Sequence, residues 1–244
     1  MKDNFSLQSD LYARFRPGYP KQLFDFLLPL VPEKNTAWDC GTGNGQVAVK
    51  LAGSFKAVHA TDISAAQLRH APQRENIFYH TIPAEQDFFA QGQFDLITVA
   101  QAIHWFDRDR FFAQVSKTLR PGAILAIIGY DILQINQEID GLINDFYHQA
   151  TGPYWDTERK LVEDHYANIA FPFKEIAAPG FWTRNKWSFE ELLGYLNTWS
   201  AVQHYIRKHN ANPVDTLAVS LRKAWGDVGK RNVAFPVFMR VGRK

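Results

Sequence analysis

The sequence predicts an α/β fold in which helices cover both faces of a doubly wound, mostly parallel sheet. Short and almost wholly apolar segments alternate with helical segments between residues 36 and 129. Strands that are apolar on both faces belong to a parallel sheet covered on both sides. A glycine-rich stretch also separates the first such strand from its helix. Because ligands bind beyond the carboxyl ends of the strands in such sheets, we expect the functional site there.

The composition is that of a globular chain. The 244 residues are 46% hydrophobic and 21% charged, which excludes a disordered chain, a collagen and a coiled coil. The 27 basic and 25 acidic side chains give a formal charge of +2, so we expect neither nucleic acid nor a membrane as partner. A single cysteine, Cys40, and the lack of a secretory signal favour a cytoplasmic protein. No metal site is predicted, and no pattern indicates an oligomeric state.

The first half of the chain accounts for most of the predicted sheet. An apolar-faced helix is predicted over residues 19–31, with Pro20 in its first turn. Five strands follow from short apolar runs, at residues 36–39, 57–61, 76–81, 94–99 and 123–129. Helices are predicted at residues 45–52, 64–72 and 108–119. Ser64 and Gln67 predict a capping box, Asp107 an N-cap, and residues 120–122 a turn.

The second half has a different character. An apolar stripe from 139 to 147 predicts a helix, and residues 171–187 are extended and rich in aromatic side chains. Ser188 and Glu191 predict a capping box that begins another helix, and a further helix is predicted at residues 213–225. Residues 233–241 predict a closing strand. We expect these helices to lie over the strand ends, with the last strands paired at an edge of the sheet.

The strongest functional signal runs from Asp39 to Gly45, with the sequence Asp-Cys-Gly-Thr-Gly-Asn-Gly. Glycines let the backbone turn tightly and approach a ligand, and the helix that follows offers N–H groups without helical partners. Asp62 ends the next predicted strand, where an acidic residue holds ribose hydroxyls in nucleotide-binding folds. A tight turn without a ligand is the structural alternative. The combination favours a ligand that contains a nucleoside.

Three functions compete for this loop. Gly43, Gly45 and Ala48 satisfy the spacing of a dinucleotide-binding loop, so an NAD(P)-dependent oxidoreductase is one alternative. A carboxylate from Asp39 at the mouth of the loop would repel a diphosphate and attract an ammonium group. An enzyme that uses an amine-bearing nucleoside therefore fits the charge better. A cofactor-binding protein without turnover is the third alternative.

These residues resemble the class I S-adenosylmethionine-dependent methyltransferases that have a type 11 methyltransferase domain. The Asp39-to-Gly45 stretch resembles the Asp-x-Gly-x-Gly-x-Gly motif of the family. Residues 83–86, 94–105 and 119–123 resemble later family segments, with Ala123 in place of the second glycine of a Leu-x-Pro-Gly-Gly turn. Residues 12–20 and 187–196 are similar to the narrower group of trans-aconitate methyltransferase-like enzymes. The resemblance implies a Rossmann-like sheet of seven strands with a helical lid, and S-adenosylmethionine as cofactor.

The resemblance also implies a single domain with four segments. Residues 1–34 would form an N-terminal helical cap and residues 35–130 the cofactor-binding core. Residues 131–232 would form a lid of helices and aromatic side chains with an edge strand. Residues 233–244 would then form the final strand. The partner implied is a small-molecule acceptor of the methyl group.

Five residues are implied on the methionine and ribose side of the cofactor. Gly41, Gly43 and Gly45 would pack under the methionine part. Asp39 would lie near the amino group, and Asp62 would hold the ribose hydroxyls.

Four more residues are implied around the adenine and the sulfur. Ile63 would cover the adenine, and Ala84 and Glu85 would lie at its edge. Gln101 would lie near the sulfonium. A purely core role for Ile63 and Ala84 is an almost equal expectation.

His104, Tyr12 and Arg16 are the residues predicted to act on the acceptor. His104 follows the fourth strand on the ligand side and would orient the acceptor or remove its proton; the alternative is that it packs a loop. Arg16 would hold a carboxylate of the cofactor or of the substrate as a bidentate pair, or else pack its stem on the sheet. A carboxylate acceptor needs no base, whereas a hydroxyl, carbon or amine acceptor often does. We expect methyl transfer to a carboxylate or another oxygen nucleophile.

Overall fold

The computed structural model describes residues 15–244, and its central feature is one mixed β-sheet. Within the described residues the sheet has eight strands: β1 (Thr36–Cys40), β2 (Ala57–Asp62), β3 (Ile77–Thr81), β4 (Phe94–Ala100), β5 (Leu119–Tyr130), β6 (Lys174–Ile176), β7 (Phe181–Trp187) and β8 (Arg231–Arg243). The strand order is β3-β2-β1-β4-β5-β8-β6, and β7 also pairs with β8. Strands β1 to β5 are parallel, and β8 runs antiparallel to β5, β6 and β7.

Helices cover both faces of this sheet. Those of the described part of the chain are α1 (Lys21–Leu30), α2 (Gln46–Ala52), α3 (Ala65–Arg69), α4 (Arg108–Thr118), α5 (Gln137–Asp145), α6 (Arg159–Glu163), α7 (Phe189–Asn197), α8 (Ser200–His209) and α9 (Pro213–Trp225). Short 3-10 turns occur at Ile103–Trp105 and Gly152–Tyr154, and a π turn at Phe146–Ala150 extends α5. None of the helices within residues 15–244 has the length and apolarity needed to cross a bilayer.

Two buried clusters explain why the sheet is apolar on both faces. One joins α1, α2 and the helices of the second half, with members such as Leu23, Leu51 and Leu192. The other packs α4 and the 3-10 turn after β4 around Trp38 and Phe111. Strand β4 is buried from Phe94 to Val99, as expected for a central parallel strand. The α/β class and the mostly parallel sheet predicted from the sequence are confirmed.

Some local predictions are confirmed and others are wrong. The Asp107 side chain caps α4 by accepting from Arg110 N at 3.2 Å, and Ser188 with Glu191 forms a complete capping box. The turn predicted at residues 120–122 is instead part of β5, where the register against β4 shifts between Phe94 and Leu96. Between these two positions β5 has more residues than β4, and the register shift accommodates them without ending the strand.

The position of the final strand also differs from the prediction. Strand β8 is an inner strand, with β5 on one side and both β6 and β7 on the other. The resemblance implied seven strands, whereas the described part of the chain has eight, one of which, β6, is only 3 residues long. The inner position places β8 next to the carboxyl end of β5, because Tyr130 pairs with Val237.

Candidate active site

A cleft lies at the carboxyl ends of β1, β2 and β4 and holds about 840 Å³ of empty space, including the part open to solvent. We call it the cofactor cavity. Its walls come from the N-terminal segment, the loop after β1, the loop after β2 and the loop after β4. The cavity therefore lies where a doubly wound sheet binds its ligands.

The glycine loop forms one wall of the cofactor cavity. Gly41, Gly43 and Gly45 all have positive φ values, of 68°, 56° and 80°. A Cβ atom on Gly41 would lie 2.5 Å from the Cβ of Ala102, and one on Gly45 would lie 2.8 Å from Tyr79 Oη. At Gly43 the nearest atom would be 3.9 Å away. Two of the glycines therefore allow close packing within the protein, while Gly43 leaves space on the cavity side.

Asp39 lies in the wall of this cavity, but it is not at the mouth of the loop as expected. The residue is 1% exposed, opposite Ala60 of β2 and Thr98 of β4. One carboxylate oxygen accepts from Thr98 Oγ1 at 2.8 Å, and the other accepts from Thr42 Oγ1 and from Ala48 N. Burial raises the pKa of Asp39 to about 6, although these hydrogen bonds act in the opposite direction. The carboxylate is thus a costly buried charge at the base of the cavity.

Asp62 fixes the loop after β2 to the glycine loop. Its Oδ2 accepts from Gly43 N and its Oδ1 from Ser64 N, both at 2.9 Å. Each carboxylate oxygen has two lone pairs and can accept more than one hydrogen bond. Asp62 and Ile63 both line the cavity, as expected for residues that contact a nucleoside.

Gln67 is a site residue that the sequence interpretation missed. The predicted capping box is only half formed: Ser64 Oγ accepts from Gln67 N at 3.2 Å, but Ser64 N donates to Asp62. The Gln67 side chain is released from the cap, is 2% exposed and lines the cavity. Neither its amide oxygen nor its amide nitrogen has a hydrogen-bond partner among residues 15–244. A buried amide without partners is costly, so a polar ligand in this cavity fits the residues present.

A second cavity of about 600 Å³ adjoins the first and is called the acceptor cavity here. Arg16, Gln101 and Trp105 line both cavities and therefore mark their boundary. Gln101 holds a left-handed backbone with φ of 53°, and its amide Nε2 donates to Tyr130 O at 3.0 Å. The remaining walls come mostly from the second half of the chain: His104, Ile132, Trp155, Asp156, Arg159, Tyr195, Trp199 and Ser200.

His104 is 7% exposed in the wall of the acceptor cavity. Its Nδ1 lies 3.0 Å from Tyr166 Oη. Burial, and then the positive charges of Arg159 and Arg16, lower the pKa of His104 to about 3. The imidazole is therefore neutral at physiological pH and is a weak base.

Two arginines bring positive charge to the acceptor cavity. The guanidinium of Arg16 donates to Tyr130 Oη at 2.8 Å and to Thr198 O at 3.0 Å. Arg159 Nε donates to Tyr147 Oη at 2.8 Å, and its guanidinium carbon lies 5.1 Å from the Trp155 ring centre. Among residues 15–244 no carboxylate forms an ion pair with Arg159 within 4.0 Å.

Among residues 15–244, the acceptor cavity has one acidic side chain, that of Asp156. Its Oδ2 lies 3.8 Å from Nδ1 of His204. Two arginines and one aspartate give this space an excess of positive charge.

The structure does not bring every predicted residue to a cavity. Gly45 begins α2 as its N-cap and does not line either cavity. Ala84 is buried in the core around Trp38, and Glu85 Oε1 accepts from Asp107 N at 2.8 Å. Both therefore serve the fold here, and their adenine contacts stay predictions. Tyr12 lies outside the described residues.

The strand order, the glycine loop and the acidic strand ends together define a class I methyltransferase fold. The chain belongs to the methyltransferase family: residues 38–127 match the model described as a methyltransferase domain. A Dictyostelium discoideum protein named as a methyltransferase is 31% identical over 250 residues, which cover 99% of this chain and 95% of that protein. The protein is an S-adenosylmethionine-dependent methyltransferase, with S-adenosylmethionine as its cofactor.

Solved structures agree with this assignment. A methyltransferase structure from Anaeromyxobacter dehalogenans matches with a TM-score of 0.86 and 39% identity, covering 94% of this chain and 98% of that chain. Phosphoethanolamine N-methyltransferase 2 of Haemonchus contortus, solved with phosphomonomethylethanolamine and S-adenosylhomocysteine, matches with a TM-score of 0.50 and 19% identity. That match covers 98% of this chain and 58% of the other, and it shows the fold alone.

The family assignment overturns two of the alternatives. The oxidoreductase interpretation relied on the spacing of Gly43, Gly45 and Ala48, but the Ala48 N–H donates to Asp39. It is therefore not available to a diphosphate. The alternative of cofactor binding without turnover is also wrong, because the chain belongs to a family of enzymes. The narrower resemblance to trans-aconitate methyltransferase-like enzymes stays a prediction.

Proposed function

We propose that the enzyme methylates a carboxylate group of a small-molecule acceptor bound in the acceptor cavity. The observation that supports this proposal best is that two arginines, Arg16 and Arg159, line the same cavity as His104, which is a poor base. The arginines favour an anionic acceptor, and the histidine disfavours acceptors that need deprotonation.

The weak basicity of His104 separates the classes of acceptor. Bound S-adenosylmethionine supplies an electrophilic methyl group, so the acceptor atom needs only a reactive lone pair. A carboxylate has one at neutral pH, whereas a hydroxyl or an ammonium group must first lose a proton. A base with a pKa of about 3 removes such protons inefficiently. His104 therefore suits a role in orienting the acceptor.

Arg159 is the residue best placed to bind the anionic group. Its Nε bond to Tyr147 fixes the guanidinium, and Tyr147 in turn donates to Glu163. The flat guanidinium lies over the Trp155 and Tyr147 rings, with its carbon 5.1 and 5.5 Å from the ring centres. This arrangement leaves its terminal N–H groups for a carboxylate in the bidentate geometry that arginine prefers.

The boundary between the cavities would place the reacting atoms. Arg16, Gln101 and Trp105 face both spaces, so an acceptor bound by Arg159 would approach the methyl group past these side chains. Aromatic walls from Trp105, Trp155 and Trp199 would exclude water. Holding two reactants in line at about 3–3.5 Å supplies roughly 7–11 kcal/mol of barrier lowering. Positioning is thus the main task of these residues.

On the cofactor side, three polar residues are proposed as ligands. Asp39 would attract the amino group, Asp62 would accept from the ribose hydroxyls, and Gln67 would satisfy its unpaired amide. The burial of Asp39 and Gln67 and the position of Asp62 support these assignments.

The test is an acceptor panel with tritiated methyl groups on S-adenosylmethionine. Tricarboxylates, dicarboxylates and aromatic acids are each compared with the matching amine and alcohol. We expect transfer to acids only, and we expect mild alkali to release the label as volatile methanol, because methyl esters hydrolyse under those conditions. Transfer to an amine or alcohol, with a label stable to alkali, would refute a carboxylate acceptor.

A further inference from the structure

Tyr166 is a buried residue with an unusual backbone beside the acceptor cavity. It is 0% exposed, and its Oη lies 3.0 Å from His104 Nδ1. Its φ is 59° and that of His165 is 50°, so two successive side-chain-bearing residues are in the left-handed region. Bulky residues rarely adopt this conformation, and it persists only where the surroundings hold it.

Contacts from distant strands hold this backbone in place. Arg240 Nη1 of β8 donates to Tyr166 O at 2.5 Å and to Ile169 O at 2.7 Å. The same guanidinium pairs with Glu175 of β6, with its Nη2 2.6 Å from Oε1. His165 Nε2 lies 2.9 Å from Asp131 Oδ1, just after β5. Three elements therefore fix a strained turn that carries the Tyr166 hydroxyl to His104.

We propose that Tyr166 is a positioning residue whose O–H donates to His104 Nδ1 and so keeps the imidazole proton on Nε2, which donates to the acceptor oxygen. This inference rests on the proposed carboxylate acceptor. It assigns Nε2 as a hydrogen-bond donor to the acceptor rather than as a base.

The two ring nitrogens of His104 have different environments, and this difference determines which nitrogen carries the proton. With Nδ1 held by Tyr166, Nε2 is the nitrogen left for the cavity, and it has no hydrogen-bond partner among residues 15–244. In a neutral imidazole one nitrogen is a donor and the other an acceptor. A phenol O–H is a strong donor and its oxygen a weak acceptor, so the tyrosine is better suited to donate.

The positive charge of the acceptor cavity also favours a proton on Nε2 of His104. Arg16 and Arg159 draw an anion toward His104, and an anion is bound by an N–H and repelled by a lone pair. Binding one carboxylate oxygen at Nε2–H would leave the other oxygen to face the methyl group.

The direct test is ¹⁵N NMR of the histidine side chains in the full-length enzyme without acceptor. The His104 resonances are assigned by their loss in His104→Gln. We expect the proton on Nε2, and we expect the Nδ1 resonance to move in Tyr166→Phe toward that of an imidazole nitrogen without a hydrogen bond. Tyr205→Phe, which lies outside both cavities, is the control. A proton on Nδ1 in the wild type, or an unmoved Nδ1 resonance in Tyr166→Phe, would overturn the proposal.

A kinetic arm distinguishes positioning from a merely structural role. The loss of one neutral hydrogen bond in Tyr166→Phe should lower kcat about three- to tenfold with unchanged cofactor affinity. In His104→Gln the amide Nε2 replaces the ring Nε2–H, so this variant should retain more activity than His104→Leu. Equal activity of the Gln and Leu variants would contradict a donor at Nε2. The NMR arm needs no acceptor, so it separates failure of this proposal from failure of the carboxylate assignment.

Discussion

The two cavities are built from the chain in different ways. The cofactor cavity takes much of its wall from residues 39–47 and 62–67, which are short segments at neighbouring strand ends. The acceptor cavity combines Arg16 and His104 with residues between 132 and 200, which meet only through the packing of the second half. The first site is therefore local in sequence, while the second depends on tertiary structure.

Their electrostatic character differs as well. The cofactor cavity contains the buried Asp39, whose pKa is raised to about 6. The acceptor cavity has two arginines and a histidine whose pKa is lowered to about 3. A cationic cofactor would therefore bind beside the negative charge of Asp39, and an anionic acceptor beside the positive charge of the arginines. The methyl group and the acceptor atom would come together near Gln101.

Replacing Asp39 with asparagine should have the largest effect. Removing a buried charge that faces an ammonium group should weaken S-adenosylhomocysteine binding by about a hundredfold. Isothermal titration calorimetry measures the affinity, and Asp25→Asn, an exposed carboxylate paired with Lys21, is the control. Unchanged affinity in Asp39→Asn would remove the electrostatic role of this residue.

Replacing Arg159 with glutamine should weaken acceptor binding and leave cofactor binding unchanged. Losing a bidentate pair with a carboxylate should raise the acceptor KM by about thirtyfold, while cofactor affinity stays the same. Steady-state kinetics with an active acid provides the measurement, and the exposed Arg207→Gln is the matched control. An equal loss of cofactor affinity would show that the two cavities are not separate in function.

Replacing Gln67 with methionine should weaken cofactor binding without lowering the stability of the fold. Methionine fills a similar volume and removes two buried polar atoms that have no hydrogen-bond partner in the described part of the chain. We expect about tenfold weaker S-adenosylhomocysteine binding, with a ligand-free melting temperature equal to or above that of the wild type. Full affinity in Gln67→Met would show that the amide does not contact the ligand.

The buried His104 should make the free energy of unfolding decrease as the pH falls. Its pKa is lower in the folded chain than in the unfolded chain, so the unfolded state binds more protons below about pH 6.5. Stability is therefore complete above that pH and is lost as the pH falls toward 3. Between pH 7.5 and 5.5 the wild type should lose about 1 kcal/mol more unfolding free energy than His104→Gln.

Urea titrations at the two pH values measure this difference. The exposed His148→Gln should follow the wild type. Parallel losses in the wild type and His104→Gln would show that His104 is not a buried neutral group.

The contrast between the cavities also explains what the sequence was able to predict. Strands, helices and the glycine loop follow from short-range patterns, so the sheet and the placement of Asp39 and Asp62 near the strand ends were predictable. The burial of Asp39 at the base of the cavity was not, because it depends on packing against Thr98 of β4. Gln67 was assigned to a helix cap, because a sequence pattern does not show that Asp62 takes the Ser64 N–H instead. The available signal in the sequence was a glutamine at the start of the helix that follows the acidic strand end.

Arg159 and Tyr166 had no such signal. Arg159 is defined by its neighbours Tyr147 and Trp155, and Tyr166 by Arg240 of the last strand. These contacts arise when separate elements pack, and a one-dimensional pattern does not specify them.

The pH dependence of cofactor affinity tests the division of charge most directly. If the ammonium group of S-adenosylhomocysteine lies near Asp39, binding requires the ionised carboxylate and weakens as the pH falls through about 6. We expect about tenfold weaker binding at pH 5.0 than at pH 7.5, and no such change in Asp39→Asn. Binding in the wild type that is independent of pH across this range, or tighter at pH 5.0, would contradict the account.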